Sequence, residues 1–373
     1  MAPAHASTTV ATDCRINSHA AAAAPAAAPW TLAEAGVRTA HRPPQPAMPR
    51  NHEEDQPPEI RVLDGKGGGK LAPWDKAVCE TLPSGIFWLH LDWDTPLAHQ
   101  ILVETFGVDP VVAEALIEAD TRPRSLAAAR DELVILRGVN LTPGAEPEDM
   151  ISLRMLVNEQ RVITLTRRAL RSIAEIKAEI DCGQGPKTTG EFMAMLIEKM
   201  VDRVGPVLAQ LEDAIDEEED DLVEGKLKHV ESTLVGVRGR IIKLRRYLSP
   251  QREALLRLVA EKLPWVAPED RARLVESANQ LTRCVEDLDE FRERAQVIQE
   301  EIGLYYNRRL TRSTFVITLA ASVLVPLNLV AGLFGMNVGG IPGKEGPYAF
   351  WVISALFIAF GVFVYFWGRR RLD

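Results

Sequence analysis

The chain has 373 residues, and its overall composition does not indicate a membrane protein. A chain of this length suits one large soluble domain with a membrane part, or two soluble domains. The formal net charge of −9 argues against nucleic acid as a main partner, because neutralising phosphates needs a basic surface. An acidic soluble part instead attracts cations.

The segment 1–57 is an extension rich in Ala and Pro. Such a composition cannot bury a hydrophobic core, so we predict that the extension is disordered and dispensable. Met48 is a second possible start of the chain, about ten residues before folded character begins.

The segment 58–168 predicts a soluble α+β domain. Short apolar runs typical of strands occur at 60–63, 86–91, 133–139, 151–157 and 161–165. Apolar residues at three-to-four spacing predict a helix over 96–119. The Gly-rich stretch 66–70 lacks the spacing of a phosphate-binding loop and predicts a turn. The sequence also contains no nucleophile elbow and no metalloprotease motif.

The segment 169–265 predicts a helical region. Its amphipathic stretches are divided by Gly225, Pro250 and the pair Pro264 and Pro268. The stretch 213–221 is densely acidic, which is typical of a solvated helix face or of a surface that attracts cations.

The segment 266–312 predicts a long stalk helix with a coiled-coil period. Ten apolar or aromatic residues recur at spacings of three and four: Leu274, Ala278, Leu281, Val285, Leu288, Phe291, Ala295, Ile298, Ile302 and Tyr305. We call them the heptad stripe. It predicts either a seam between subunits or an ordinary helix packed within its own chain.

The C-terminal segment predicts two transmembrane helices, at 313–336 and 348–367, joined by a short external loop at 337–347 and followed by a tail at 368–373. No charged residue lies between Arg312 and Lys344 or between Glu345 and Arg369. Basic residues flank the pair on one side: Arg308, Arg309, Arg312, Arg369, Arg370 and Arg371. The positive-inside rule therefore predicts that both chain ends lie in the cytoplasm.

The first span carries small and polar residues on one helical face. This polar stripe consists of Thr314, Thr318, Ala321, Val325, Asn328, Gly332 and Gly335. An amide such as that of Asn328 must meet protein or water in a membrane. The stripe predicts either helix packing or a water-filled path, and a path requires a ring of subunits, since one hairpin cannot enclose it.

The first span ends in Gly335-Met336-Asn337, directly before the predicted loop. This tripeptide, with two C-terminal spans, a short loop, a preceding long helix and a basic tail, resembles the CorA family of divalent-cation transporters. Three further stretches and the loop 338–343 resemble its ZntB-like zinc transporter branch: 121–124, 245–252 and 262–265. That branch often has Val in place of Met336.

The resemblance implies an α+β cytoplasmic domain in α/β/α layers, followed by the stalk and the two spans, in a funnel-shaped homopentamer of the inner membrane. It implies that the polar stripe lines a pore, and that Gly335, Met336 and Asn337 form the pore mouth. We expect Arg369, Arg370 and Arg371 to form a basic ring on the cytoplasmic side.

The expected function is transport of divalent cations, and the resemblance implies zinc uptake coupled to protons. A magnesium or cobalt channel of the CorA type is the alternative, and a membrane-anchored sensor or scaffold is an alternative of another class. We expect the partners to be the cation, the lipid bilayer and further copies of the chain, with no nucleic acid and no cofactor beyond the transported Zn²⁺ or Mg²⁺. The sequence identifies no metal ligands.

Overall fold

The computed structural model describes residues 58–73, 85–95, 97–336 and 346–370. The predicted extension 1–57 with Met48, the loop residues 337–345 with Asn337, and the tail from Arg371 onward lie outside these ranges. The chain divides into two compact units. One comprises Met1–Val207 and Lys243–Glu286, and the other comprises Leu208–Ile242 and Asp287–Asp373.

A mixed sheet forms the centre of the first unit. Its strands in the described residues are β1 (Glu59–Leu63), β2 (Gly69–Ala72), β3 (Phe87–Asp92), β4 (Arg124–Ala128), β5 (Asp131–Gly138), β6 (Ile151–Val157) and β7 (Arg161–Thr166). They lie in the order β2-β1-β3-β7-β6-β5-β4. The neighbours β3 and β7 are parallel, and every other neighbouring pair is antiparallel.

Helices cover both faces of this sheet. One face packs on α1 (Ala98–Gln100), a π-helical turn (Ile101–Thr105) and α2 (Pro110–Ile117). On that face Leu89 and Ile163 share a buried cluster with Leu102 and Leu116. Trp88 points the other way, because successive strand residues alternate.

The opposite face packs on the helices that follow β7, which are α3 (Arg171–Asp181) and α4 (Thr189–Asp202). The rings of Trp88 and Phe192 of α4 lie 4.9 Å apart between their centroids. Strand β6 is buried along its whole length, as expected for a strand covered on both faces. The predicted α/β/α layering is therefore confirmed.

The segment 96–119 is not one helix, contrary to the prediction. Gly107 adopts a positive φ of 61°, a conformation that favours glycine and ends the first helical stretch. Asp109 then begins α2, and its carboxylate accepts a hydrogen bond from the N–H of Val111 at 2.8 Å. The apolar spacing continues through this break, which is why it predicted a single helix.

Four long helices complete the described chain. They are α5 (Val204–Val223), α6 (Leu227–Ala260), α7 (Pro268–Gly335) and α8 (Ala349–Arg369). Gly225, with φ of 81°, separates α5 from α6 as predicted. The predicted break at Pro250 is wrong, since α6 runs through it. The flanking Leu248 and Gln251 are fully buried, and their packing offsets the stability lost with the backbone hydrogen bond that proline cannot form.

The predicted passage from stalk to first span is one uninterrupted helix, α7. Nine residues of the heptad stripe are buried within a single chain, and the tenth, Tyr305, is 47% exposed. In the second unit, Arg294 of α7 also pairs with Glu219 of α5 at 2.8 Å. The stripe from Leu274 to Ile302 therefore packs within its own chain, the second of the two alternatives.

Candidate functional site

The charge-free end of α7 packs on α8 through one face only. The partly shielded residues of α7 in this region are Phe315, Leu319, Val323, Pro326, Leu327 and Val330. A Cβ atom added to Gly361 of α8 would lie 3.9 Å from Cγ1 of Val323. On α8 the shielded positions include the small residues Ser354 and Gly361. This contact was not predicted from the sequence, although small residues in an otherwise bulky helix are a signal of helix packing.

The polar stripe lies on the opposite face of α7. With 3.6 residues per turn, each residue advances about 100° around the helix. Asn328 and Val325 therefore lie roughly 140° and 160° from Val323. All seven stripe residues are exposed in the single chain, and Val325 is 66% exposed. Within the hairpin, α8 leaves the whole polar stripe uncovered.

The polar groups of this face differ in what they can still bind. The Thr318 hydroxyl donates to the carbonyl oxygen of Thr314 at 2.8 Å, so its proton is engaged and its oxygen remains an acceptor. The exposed Asn328 amide has no hydrogen-bond partner within the described part of the chain. Pro326, two residues away, lacks the N–H that would pair with the carbonyl of Ser322. The charge-free end of α7 thus presents hydrogen-bond acceptors near the middle of its length.

The tripeptide Gly335-Met336-Asn337 stands where α7 ends. The helix ends at Gly335, and the Met336 N–H donates to the carbonyl oxygen of Leu333 at 3.4 Å. The Met336 side chain is exposed. Asn337 follows outside the described residues, so its ring of amides at a pore mouth stays a prediction.

Basic residues stand at the other end of the hairpin. Arg308, Arg309 and Arg312 are exposed on α7, just before the charge-free stretch. Arg369 is the last residue of α8, and the N–H of Arg370 donates to the carbonyl oxygen of Phe366 at 3.2 Å. Arg371 lies outside the described residues. The basic ring formed by several chains stays a prediction.

The acidic stretch 213–221 is partly neutralised within its own unit. Arg294 contacts Asp216 and Glu219, and these carboxylates raise the pKa of its guanidinium. Lys226 pairs with Asp221 at 2.8 Å. Over the ranges that the structure covers, His, Cys, Asp and Glu nowhere form a group of three or more that could hold a metal ion. Glu218 and Asp221 are buried, and the other acidic residues of the stretch are at least partly exposed. The stretch is therefore a partly solvated helix face with ion pairs to basic side chains.

The structure also contains two helices that are long and apolar enough to cross a membrane, within Pro268–Gly335 and at Phe350–Trp367. A family model described as "CorA-like Mg2+ transporter protein" matches residues 83–370. A divalent cation transporter from Pseudomonas aeruginosa, CmaX, is 38% identical over 83% of this chain and 94% of its own length. A zinc transport protein from Pectobacterium atrosepticum, ZntB, is 33% identical over 83% of this chain and 93% of its own length.

The fold of this chain is also similar to those of solved transporter structures. The full-length CmaX protein matches with a TM-score of 0.69 and 37% identity, over 84% of this chain and 97% of that chain. The CorA magnesium transporter from Methanocaldococcus jannaschii matches with a TM-score of 0.67 and 16% identity, over 84% and 97%. The second likeness supports the fold alone.

Proposed function

The chain belongs to the CorA family of divalent-cation transporters, and from this premise we propose that it carries zinc into the cell through a pore lined by the polar stripe. The chain is an inner-membrane protein with its large N-terminal part in the cytoplasm. Its relatives are transporters rather than enzymes. The choice of zinc, the coupling to protons and the pentamer are parts of the proposal.

The uncovered polar stripe is the observation that carries this proposal. Asn328 and its neighbours face away from α8, where a hydrated cation could meet amide, hydroxyl and carbonyl oxygens. Neutral acceptors suit a cation that keeps part of its hydration shell, because no carboxylate is present to displace the bound water. A ring of several α7 helices would turn the stripe inward and remove the cost of its contact with lipid.

Zinc is preferred because the zinc transport protein of Pectobacterium atrosepticum shares a third of its residues with this chain. Proton coupling rests on the resemblance to the same branch. The stretch 313–336 contains no titratable side chain, so coupled protons would have to be carried elsewhere. The Met336 in the tripeptide and the description of the family model favour the magnesium channel as the second candidate.

Ion uptake into vesicles containing the purified full-length protein tests the proposal. Zinc and magnesium are supplied in parallel, each with and without a proton gradient directed into the vesicle. We expect zinc uptake to exceed magnesium uptake and to rise with the gradient. Faster magnesium uptake without an effect of the gradient would favour the magnesium channel. Uptake of neither ion would favour the sensor or scaffold.

A further inference from the structure

The first unit contains a cavity of about 700 Å³ that the transport path does not use. It opens where strands β3 and β7 end, because these strands are parallel and finish at the same edge of the sheet. Trp93 follows β3, Arg167 and Arg168 follow β7, and Lys243, Arg246 and Tyr247 of α6 close the other side. Its volume lies within the usual range of ligand pockets, roughly 300–1,000 Å³.

The cavity lining carries more positive than negative charge. Five basic side chains line it: Arg137, Arg167, Arg168, Lys243 and Arg246. The acidic lining residues are Glu148 and Asp149, and both lie within 3.9 Å of Lys243. Arg167 pairs with Asp94 at 3.1 Å. In the described chain, Arg137, Arg168 and Arg246 form no ion pair.

Arg137 is held in the cavity wall by a hydrogen bond and a ring contact, with no ion pair in the described chain. Its Nη2 donates to the carbonyl oxygen of Thr121 at 2.8 Å, and its guanidinium carbon lies 4.8 Å from the centre of the Tyr247 ring. Its Nε is buried and has no acceptor among the described residues. Burial lowers the pKa of this guanidinium, because the charged form loses water, and the charge of the nearby Asp120 carboxylate only partly opposes this. An arriving anion would offset that cost.

Two of the stretches that resemble the zinc branch meet at Arg137. Thr121, in the stretch 121–124, accepts the guanidinium hydrogen bond. Gln251, in the stretch 245–252, is fully buried, and its Oε1 accepts from the backbone N–H of Arg137 at 2.7 Å. Arg246 and Tyr247 of the same stretch line the cavity. These residues lie in the cytoplasmic domain, so transport through the spans does not explain their arrangement.

We propose that this cavity binds an anion with two or more linked phosphate groups, of the diphosphate class. Guanidinium groups bind phosphate oxygens through paired N–H donors, and three of them without an ion pair in the described chain suit several negative charges. The cavity is far larger than one phosphate needs. The Trp93 ring is already covered by Arg154, whose guanidinium carbon lies 3.9 Å from the ring centre. That face of the ring cannot stack on another part of the ligand, so recognition rests on the phosphates.

Calorimetric titration of the full-length, metal-free protein in detergent with sodium pyrophosphate tests this site. We expect saturable binding that weakens as salt is added, and at least tenfold weaker binding of inorganic phosphate. Arg168→Gln and Arg246→Gln should each weaken pyrophosphate binding about tenfold, and the double variant should abolish it. Both side chains are exposed, so the variants should melt at the wild-type temperature.

Arg171→Gln provides the matched control. Arg171 is also exposed and lies three residues after Arg168, but it does not line the cavity and pairs with Glu175. Its replacement should leave pyrophosphate binding unchanged. Absence of binding to the wild type, equal affinity for phosphate and pyrophosphate, or undiminished binding to the double variant would overturn the proposal.

Discussion

Asn328 shows how far a single residue can be interpreted from sequence. Its type and its place within a charge-free stretch predicted that it faces protein or water rather than lipid. The structure adds that α8 does not meet this requirement, because Gly361 packs near Val323 on the opposite face. The direction of Asn328 within the hairpin could not be predicted, since it depends on which side of α7 the second span packs.

Glu132 on β5 is a buried carboxyl group that responds to pH. Burial raises its pKa to about 7, and the nearby Glu261 carboxylate adds to this rise, while the hydrogen bond from the Ser125 hydroxyl opposes it. Between its ordinary pKa of 4.5 and 7, the folded protein keeps a proton that the unfolded chain has lost. The free energy of unfolding therefore falls as pH rises through this window.

Glu132→Gln should remove this pH dependence. The amide keeps the shape of the protonated carboxyl group but cannot ionise, so the variant should gain about 1–3 kcal/mol over the wild type at pH 8 and little at pH 4. Thermal unfolding of both proteins in detergent across this range measures the difference. A constant offset between the two melting temperatures at every pH would show that Glu132 does not titrate in this window.

Among the elements, strands with apolar runs were predictable and edge strands were not. The central strands β3, β5, β6 and β7 were predicted within two residues at either end. Strands β2 and β4 were missed because they end the sheet on either side and expose part of their length. Without a second covered face, they lack the apolar pattern on which strand prediction depends.

For the heptad stripe of α7, the sequence predicted burial but not the surface on which the stripe packs. Its period correctly predicted which residues are buried, but a period does not identify the partner surface. The structure places the stripe against other parts of the same chain, so its residues stabilise the fold of each subunit. In the proposed assembly, the stripe from Leu274 to Ile302 is therefore not available for contacts between subunits.

Leu288→Ala should destabilise the subunit itself. Leu288 is fully buried, and removing its side chain from a packed interior costs about 2–5 kcal/mol. The control is Val297→Ala on the same helix, where the side chain is 55% exposed and the loss should stay below about 1 kcal/mol. Chemical unfolding followed by circular dichroism compares them. Equal stability of the two variants would contradict the packing of the stripe within the chain.

At the scale of the whole molecule, the transport proposal requires several copies of the chain. One hairpin of α7 and α8 has no interior, and its polar stripe remains uncovered. The structure shows that the stripe is exposed in a single chain, and the resemblance to the family supplies the number five for the proposed ring. The arrangement of subunits could not be predicted from the sequence, because it depends on how the surfaces of several copies fit together.

The full-length protein in detergent should have five times the mass of one chain by light scattering. Thr318→Cys should form disulfide-linked species between chains under mild oxidation, because the proposed ring turns the stripes of neighbouring subunits towards each other. Val323→Cys is the control, since that position packs on α8 of its own hairpin and should add no linked species to the wild-type background. A monomeric mass, or stronger linkage through position 323, would exclude this arrangement.

Zinc uptake by the Asn328→Leu variant in vesicles tests the central claim most directly. Leucine would extend the apolar surface beside Val325 and exclude water from the path, so uptake should fall at least tenfold while the assembly keeps its mass. Asn328→Thr should retain more uptake, because its hydroxyl still offers an acceptor. Val330→Leu, on the face towards α8, should transport like the wild type. Wild-type zinc uptake by Asn328→Leu would contradict the account and leave Asn328 as a helix-packing residue.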